Sequence, residues 1–269
     1  MLSRQDFTAA FHRLDLPPGR PVIVHASLSA FGPVQGGAAA VVDALLEAYP
    51  VLLAPVFTYK TMLTPEVGPP ENGLLYGSQP DQNLMAQFFH PDLPADRLMG
   101  IIPETLRRLP QAERSSHPIQ SFAGVNASEY LQAQGLAEPL APLRLLAEAN
   151  GWALLMGVDQ TVNTSIHVGE RLAGRKQFVR WALTPQAVVT CPGFPGCSDG
   201  FQAIEPYLQT VRRVMVGPAF IQAVLLPEVV QTVYDRVRSD PLALLCDRPY
   251  CDRCDAVRHG LQGDTGSTI

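Results

Sequence analysis

Apolar and polar positions follow one another in short runs whose spacing switches between the period of a helix and that of a strand. A capping box followed by apolar residues at helical spacing predicts an amphipathic helix over residues 3–14. A short buried strand at 22–24, an Ala-rich helix at 38–49 and a second strand at 51–57 come next. Strand, helix and strand in this order form a βαβ unit, so the two strands are expected to be parallel.

Helix and strand patterns alternate through the rest of the chain. Residues 58–82 are rich in proline and glycine, which predicts a long, stiff loop that serves as a wall or lid. We therefore expect an α/β fold, layered α/β/α around a central mixed, largely parallel sheet. Further helices are predicted at 83–89, 101–109, 142–150, 201–210 and 227–238, and further strands at 119–125, 152–156, 178–183, 187–190, 211–216 and 220–225, with 178–183 and 187–190 paired as a hairpin.

The length and net charge of the chain indicate a single-domain protein that does not bind nucleic acid. The chain has 269 residues, for which we expect a single domain over residues 1–260 and a disordered tail at 261–269. A net charge of −5 leaves no basic footprint for nucleic acid. Neither a signal peptide nor an apolar stretch long enough to cross a bilayer is recognisable. We expect a soluble cytoplasmic protein without a nucleic-acid or membrane partner.

The stretch 157–170 is the first candidate for chemistry. It follows the buried strand at 152–156, which Gly157 closes, and Asn163 or Thr164 can cap the helix that starts there. His167 falls in the first turn of that helix, at the kind of strand end where open α/β sheets bind ligands. Histidine is the side chain suited to proton transfer near neutral pH. The alternative is a histidine that packs beside the cap.

A second candidate is the loop after the strand at 22–24. It carries His25, two serines and the pair Gly36-Gly37 just before the next helix. Glycines let a ligand approach the backbone, and free N–H groups at a helix start attract anions or carbonyl oxygens. The spacing fits neither a dinucleotide fingerprint nor a Walker loop. The alternative is a turn required only for packing.

Several motifs occur in an order that is typical of a known family. His25-Ala-Ser-Leu-Ser29, Met99-Gly-Ile-Ile-Pro-Glu104, Arg114-Ser-Ser-His117-Pro followed by Ser121-Phe122, and Asn163-Thr-Ser-Ile-His167 succeed one another along residues 3–258. In this arrangement the chain resembles the aminoglycoside 3-N-acetyltransferases, antibiotic N-acetyltransferases unrelated to the common GNAT enzymes.

The resemblance implies an acyltransferase that moves an acetyl group from acetyl-CoA to a substrate amine, with that amine and CoA as partners. By position, His167 corresponds to the general base. His25, which also ends a strand, is the second catalytic candidate. Two segments of the family contact CoA. The first corresponds here to Ser27, Leu28 and Ser29, and the second to Ser115, His117, Ser121 and Phe122.

The acceptor that the resemblance implies is the 3-amino group of an aminoglycoside. Gln160 stands where many members have histidine, and Gly169 stands where alanine is usual. Two alternatives are therefore kept: an acetyltransferase for a different amine, and a catalytically weak protein that binds CoA and a structural zinc. A serine hydrolase is disfavoured because no Gly-x-Ser-x-Gly elbow is present.

The cysteines form a separate constellation. Cys246, Cys251 and Cys254 lie within nine residues, and the C-x2-C pair has the spacing of structural zinc sites. We expect Cys197 as the fourth ligand, with Cys191 or His259 as alternatives. Such a zinc ion would staple the segment 191–260. The alternative is four free thiols in a reducing cytosol.

Overall fold

The computed structural model describes residues 1–77 and 83–263 of the chain. The helices of this part are α1 (Arg4–Leu14), α2 (Gly37–Ala48), α3 (Ile101–Arg107), α4 (Ser128–Gln132), α5 (Ala141–Glu148), α6 (Ile166–Leu172), α7 (Leu226–Ser239) and α8 (Asp252–Gly263). The strands are β1 (Val22–Ala26), β2 (Leu52–Pro55), β3 (Met62–Leu63), β4 (Glu113–Arg114), β5 (Phe122–Val125), β6 (Trp152–Met156), β7 (Phe178–Leu183), β8 (Val188–Phe194), β9 (Arg212–Val216) and β10 (Ala219–Leu225).

Seven strands form the central sheet in the order β4-β5-β2-β1-β6-β10-β9. The strand β1 pairs in parallel with both β2 and β6, as the predicted βαβ unit requires. The outer pairings are antiparallel, with β5 and β10 reversed, so five of the seven strands run in the same direction. The prediction of an α/β fold around a mixed, largely parallel sheet is confirmed.

Helices cover both faces of this sheet. On one face, α1, α2 and α3 bury a core that includes Phe7, Leu45 and Ile102. On the other, α5, α6 and α7 bury a second core that includes Leu146 and Val233. All five residues of β1 are buried, as is typical of a central strand covered on both sides. The layered α/β/α arrangement follows from this double burial.

A smaller sheet, ordered β3-β7-β8, stands beside the main one. The predicted hairpin is confirmed by the pairing of β7 with β8. The Pro-rich wall, residues 58–77, is fixed to this hairpin because the Asn72 side chain bonds both the N–H and the carbonyl of Val179. Residues 78–82, the end of the predicted loop, lie outside the described residues.

Two predicted helices were wrong. Residues 83–89 form a turn and an irregular segment rather than a helix, because the backbone N–H groups of Gln87 and Phe89 bond Lys60 and Leu183. The predicted helix at 201–210 is a 3-10 helix, Phe201–Tyr207, with Pro206 inside it. The helix α8 was not predicted, and it reaches Gly263, inside the expected tail. Residues 264–269 lie outside the described residues.

Among the residues that the structure describes, no helix combines the length and the apolar character that a bilayer crossing requires.

Candidate active site

The two loops singled out in the sequence meet at the carboxyl ends of β1 and β6. Ala26 pairs with Met156 at the last register position, and the Ser27 N–H donates to the Met156 carbonyl at 2.9 Å. Beyond this point the loops approach closely: a Cβ added to Gly157 would lie 2.5 Å from the Ala30 Cβ. Gly157 also has φ +66, so two separate constraints require glycine here.

His167 lies in the first turn of α6, as predicted, and is 6% exposed. Its Nδ1 lies 2.7 Å from Oε2 of Glu170, one turn further along the helix. The edge of the His167 ring also packs against Phe201, with 4.6 Å between ring centroids. When Nδ1–H donates to the carboxylate, Nε2 keeps its lone pair and is free to accept a proton.

Glu170 is the partner that sequence reasoning did not assign to His167. The signal was present, because residues three apart lie on the same face of a helix. What the spacing did not reveal is the burial of the carboxylate, which is only 3% exposed. A buried histidine and carboxylate in hydrogen-bond contact form the dyad expected of a general base.

A polar chain holds the start of α6. Asn163 Oδ1 accepts hydrogen bonds from the N–H and the hydroxyl of Ser165, and Asn163 Nδ2 donates to Gln160 Oε1 at 2.8 Å. Gln160 is fully buried, and its N–H donates to the side chain of Gln202. The N-cap of α6 is Ser165 rather than the predicted Asn163 or Thr164, and Asn163 holds Ser165 in place. Gln160 therefore supports the start of α6 from within the protein.

His25 is placed in β1 rather than in the loop. It is 4% exposed, and its Nε2 has no hydrogen-bond partner among the described residues. Burial lowers the pKa of His25 to about 4, because the charged imidazolium would lose its hydration. His25 is consequently neutral at pH 7.

The residues after β1 reach the surface at the same edge of the sheet. Ser27 and Leu28 are partly exposed and Ser29 is exposed, with 3.1 Å between the two serine hydroxyls. Leu28 starts a 3-10 helix, Leu28–Phe31. Its backbone N–H and that of Ser29 have no backbone acceptor within the described residues. These groups follow the carboxyl end of β1, beside the end of β6.

The second segment predicted along CoA is an interior element. Ser115, His117, Ser121 and Phe122 are all buried, and the last two have no exposed surface. His117 Nδ1 accepts the N–H groups of Ile119 and Gln120, so its proton resides on Nε2. Burial lowers the pKa of His117 to about 4.

Arg114 fixes this segment, and its role was not anticipated. Its guanidinium donates to the Ser121 hydroxyl and to the carbonyls of Val56 and Pro91, at 2.8 to 3.1 Å. The same group lies over the Phe89 ring at 5.2 Å from the centroid. Burial lowers the pKa of Arg114 to about 10. Arg114 thus ties β5, β2 and the loop after the wall together.

The four predicted metal ligands come together at one place. Cys197, Cys246, Cys251 and Cys254 are buried, and their sulfur atoms all lie within 4.8 Å of one another. Four sulfurs around zinc at 2.3 Å stand about 3.8 Å apart, so this donor set fits a tetrahedral ion. Cys191 packs instead with the apolar residues under the hairpin, where burial raises its pKa to about 12.

His259, the other alternative ligand, is exposed and lies 3.2 Å from a Glu71 oxygen. It is not among the residues that form the cysteine cluster. Of the three residues considered for the fourth position, Cys197 is therefore the one that lies with Cys246, Cys251 and Cys254.

Comparison with known proteins extends these observations. A sequence profile of the family described as aminoglycoside 3-N-acetyltransferase matches residues 23–238. Aminoglycoside N(3)-acetyltransferase III of Serratia marcescens is 32% identical over 237 residues, covering 78% of this chain and 86% of that protein.

Solved structures show the same fold. The apoenzyme of aminoglycoside acetyltransferase AAC(3)-IVa superposes with a TM-score of 0.78 at 24% identity, covering 96% of this chain and 97% of that chain. The binary complex of AAC-IIIb with CoASH superposes with a TM-score of 0.70 at 22% identity, covering 88% and 96%. By profile and by identity to the Serratia enzyme, the chain belongs to the aminoglycoside 3-N-acetyltransferase family and is an acyltransferase.

Proposed function

We propose that this chain acetylates the 3-amino group of an aminoglycoside with acetyl-CoA, and that His167 is the general base. The observation that carries the proposal is the buried His167–Glu170 pair, which lies at the carboxyl edge of the parallel strands in a chain of this family. The Serratia relative is named for the same reaction, and AAC-IIIb binds CoA.

The proposed reaction follows from the needs of an amine nucleophile. An aliphatic ammonium must lose a proton before it attacks the thioester carbonyl, and Nε2 of His167 accepts that proton. The new C–N bond forms a tetrahedral intermediate, which collapses as the C–S bond breaks. The imidazolium then gives this proton to the departing CoA thiolate, and the second proton that the attacking nitrogen loses on becoming an amide is released to solvent. Glu170 stabilises the imidazolium while it exists.

Negative charge develops on the thioester oxygen in the same step. We assign its stabilisation to the free backbone N–H groups of Leu28 and Ser29. A donor of this kind typically contributes about 2.7–4 kcal/mol to the transition state. Ser27, Leu28 and Ser29 are also the proposed contacts for the pantetheine arm, because they are accessible at this edge.

Ser115, His117, Ser121 and Phe122 have a different place in the proposal. Their side chains are buried, and the two serine hydroxyls are engaged with Phe122 and Val56. We propose that these residues support the CoA-binding surface from the protein interior. His25, neutral and buried, is likewise assigned to the floor of the site, and His167 is retained as the base.

The acceptor is tested with a panel of aminoglycosides and simple aliphatic amines, with acetyl-CoA consumption as the readout. We expect turnover with at least one aminoglycoside, and a product whose 3-amino group carries the acetyl group by NMR. Turnover with simple amines alone would replace the aminoglycoside by another acceptor. CoA binding without turnover on any amine would contradict the enzymatic proposal.

Replacing Glu170 by Gln is expected to lower kcat by about ten- to a hundredfold. The amide still accepts the Nδ1–H hydrogen bond but supplies no negative charge to stabilise the imidazolium. The KM for acetyl-CoA is expected to stay within about twofold, because Glu170 is buried behind His167. Steady-state kinetics check both values.

The matched control is Glu148→Gln, which breaks an exposed ion pair with Arg144 on α5. This variant is expected to have wild-type kinetics. A Glu170→Gln enzyme with unchanged kcat would show that the carboxylate has no part in the reaction.

We also propose a structural zinc ion held by Cys197, Cys246, Cys251 and Cys254. The supporting observation is the buried set of four converging sulfurs. Four thiolates complete a tetrahedral shell and leave no position for substrate, so the ion's role is to hold the segment 191–260 together. Elemental analysis of the purified protein is expected to give one zinc per chain, and a metal-free folded protein would contradict the proposal.

We propose the cytoplasm as the compartment of this protein, because it keeps thiols reduced and contains acetyl-CoA.

A further inference from the structure

Arg175 folds back onto the catalytic helix. The helix α6 ends at Leu172, and Gly174 then adopts φ +87, which reverses the chain. The Arg175 N–H donates to the Glu170 carbonyl at 2.9 Å. This reversal brings the guanidinium Nε to 3.5 Å from Glu170 Oε1, with both side chains at most 4% exposed.

The carboxylate of Glu170 is therefore held from both ends. Oε2 faces the His167 ring, and Oε1 faces Arg175. A carboxylate removed from water tends to take up a proton unless a cation lies near it. In the described part of the chain, Arg175 is the only arginine or lysine within ion-pair distance of Glu170.

Arg175 is in turn anchored from outside α6. Its Nη2 donates to the Ala243 carbonyl at 2.6 Å, three residues before Cys246. Burial lowers the pKa of Arg175, while Glu170 and, after it, Cys254 and Asp240 raise it. The neighbouring helix α7 packs on Gly169 of α6 through the Val230 carbonyl and the Val233 side chain. Among the described residues, Glu170 is the one carboxylate at ion-pair distance from the guanidinium.

We propose that Arg175 is a positioning residue for acetyl transfer: it keeps Glu170 ionised and directed at Nδ1 of His167. The inference rests on the proposed function, because its catalytic consequence exists only if His167 is the base. Arg175 acts through Glu170 and makes no assigned contact with either substrate. Its charge, rather than its packing, is the property on which the dyad depends.

The test compares Arg175→Met, which removes the charge, with Arg175→Lys, which retains it. In Arg175→Met we expect kcat to fall about tenfold while the KM for acetyl-CoA stays within about twofold. The acid limb of the kcat profile is expected to move up by about one pH unit, because loss of a positive charge favours protonation of the His167–Glu170 pair. Arg175→Lys is expected to restore the wild-type limb. Arg144→Met, in an exposed ion pair, is the matched control.

A readout without substrates separates this inference from the proposed function. The NMR titration of the His167 ring in the free protein is expected to move to higher pH in Arg175→Met and to return in Arg175→Lys. If the wild-type protein acetylates no amine, the proposed function fails, and this titration still decides the role of Arg175.

Two results would overturn the inference. One is a wild-type titration and a wild-type kcat in Arg175→Met. The other is a Lys variant as impaired as the Met variant, which would assign the effect to packing. If Arg175→Met does not fold, Arg175→Gln supplies the neutral variant, because its amide retains a donor for the Ala243 carbonyl.

Discussion

Substitution of His167 by Ala is expected to lower kcat at least about a hundredfold, while the affinity for CoA stays within about twofold. The reason is chemical: without Nε2, the acceptor ammonium has no positioned base, and only the small fraction of free amine in solution reacts. The proposed CoA contacts lie after β1, and the substitution leaves them in place. Steady-state kinetics and calorimetry with CoA measure the two quantities.

The matched control is His12→Ala, on the exposed side of α1. Its turnover is expected to equal that of the wild type. Near-normal turnover in His167→Ala would remove His167 from the mechanism. A thermal unfolding curve for each variant separates lost chemistry from lost structure, since truncation beside Phe201 also removes a ring contact.

Substitution of Cys254 by Ser is expected to abolish the bound zinc and to lower the melting temperature by at least about 10 °C. A serine hydroxyl is a poor replacement for a thiolate, so only three thiolates remain, too few to retain the ion. The segment that carries Ala243 and α8 would then no longer be linked to Cys197 through a shared metal ion. Differential scanning calorimetry with metal analysis of the same samples measures both effects.

Cys191→Ala is the matched control, because Cys191 is also buried but lies outside the cluster. It is expected to keep one zinc per chain and to lose only a little stability from packing. Equal metal content in Cys254→Ser and wild type would show that this cysteine is not a ligand.

Periodicity sufficed to predict the layered architecture because both faces of β1 are buried and the helices have clear apolar sides. It failed at 83–89, where backbone bonds to Lys60 and Leu183 outweigh local helical preference. It also missed α8, whose polar sequence is held by the buried cysteines at its start and by contacts at a distance. Local propensity cannot report such contacts.

The residues of the candidate site were largely predictable from the sequence, but the contacts that hold them in place were not. His167 and the serines after β1 were identified from motifs in order, and the structure places both at one edge of the sheet. The roles of Arg175 at Glu170 and of Arg114 at Ser121 were missed, since they are recognisable only from burial and from partners distant in sequence, such as Ala243 and Val56. The burial of Gln160 was equally invisible in the sequence.

The position of α8 has a consequence for the order in which the chain is made. Gly73 of the Pro-rich wall packs against Arg253, where an added Cβ would lie 2.6 Å from the arginine Cγ. Cys251 and Cys254 in the same region complete the cysteine cluster with Cys197. Residues up to about 254 must therefore have emerged from the ribosome before the Pro-rich wall and the cysteine cluster can reach their final positions. A nascent chain that is stalled earlier already contains His167, Glu170 and the other residues of α6 but still lacks these contacts.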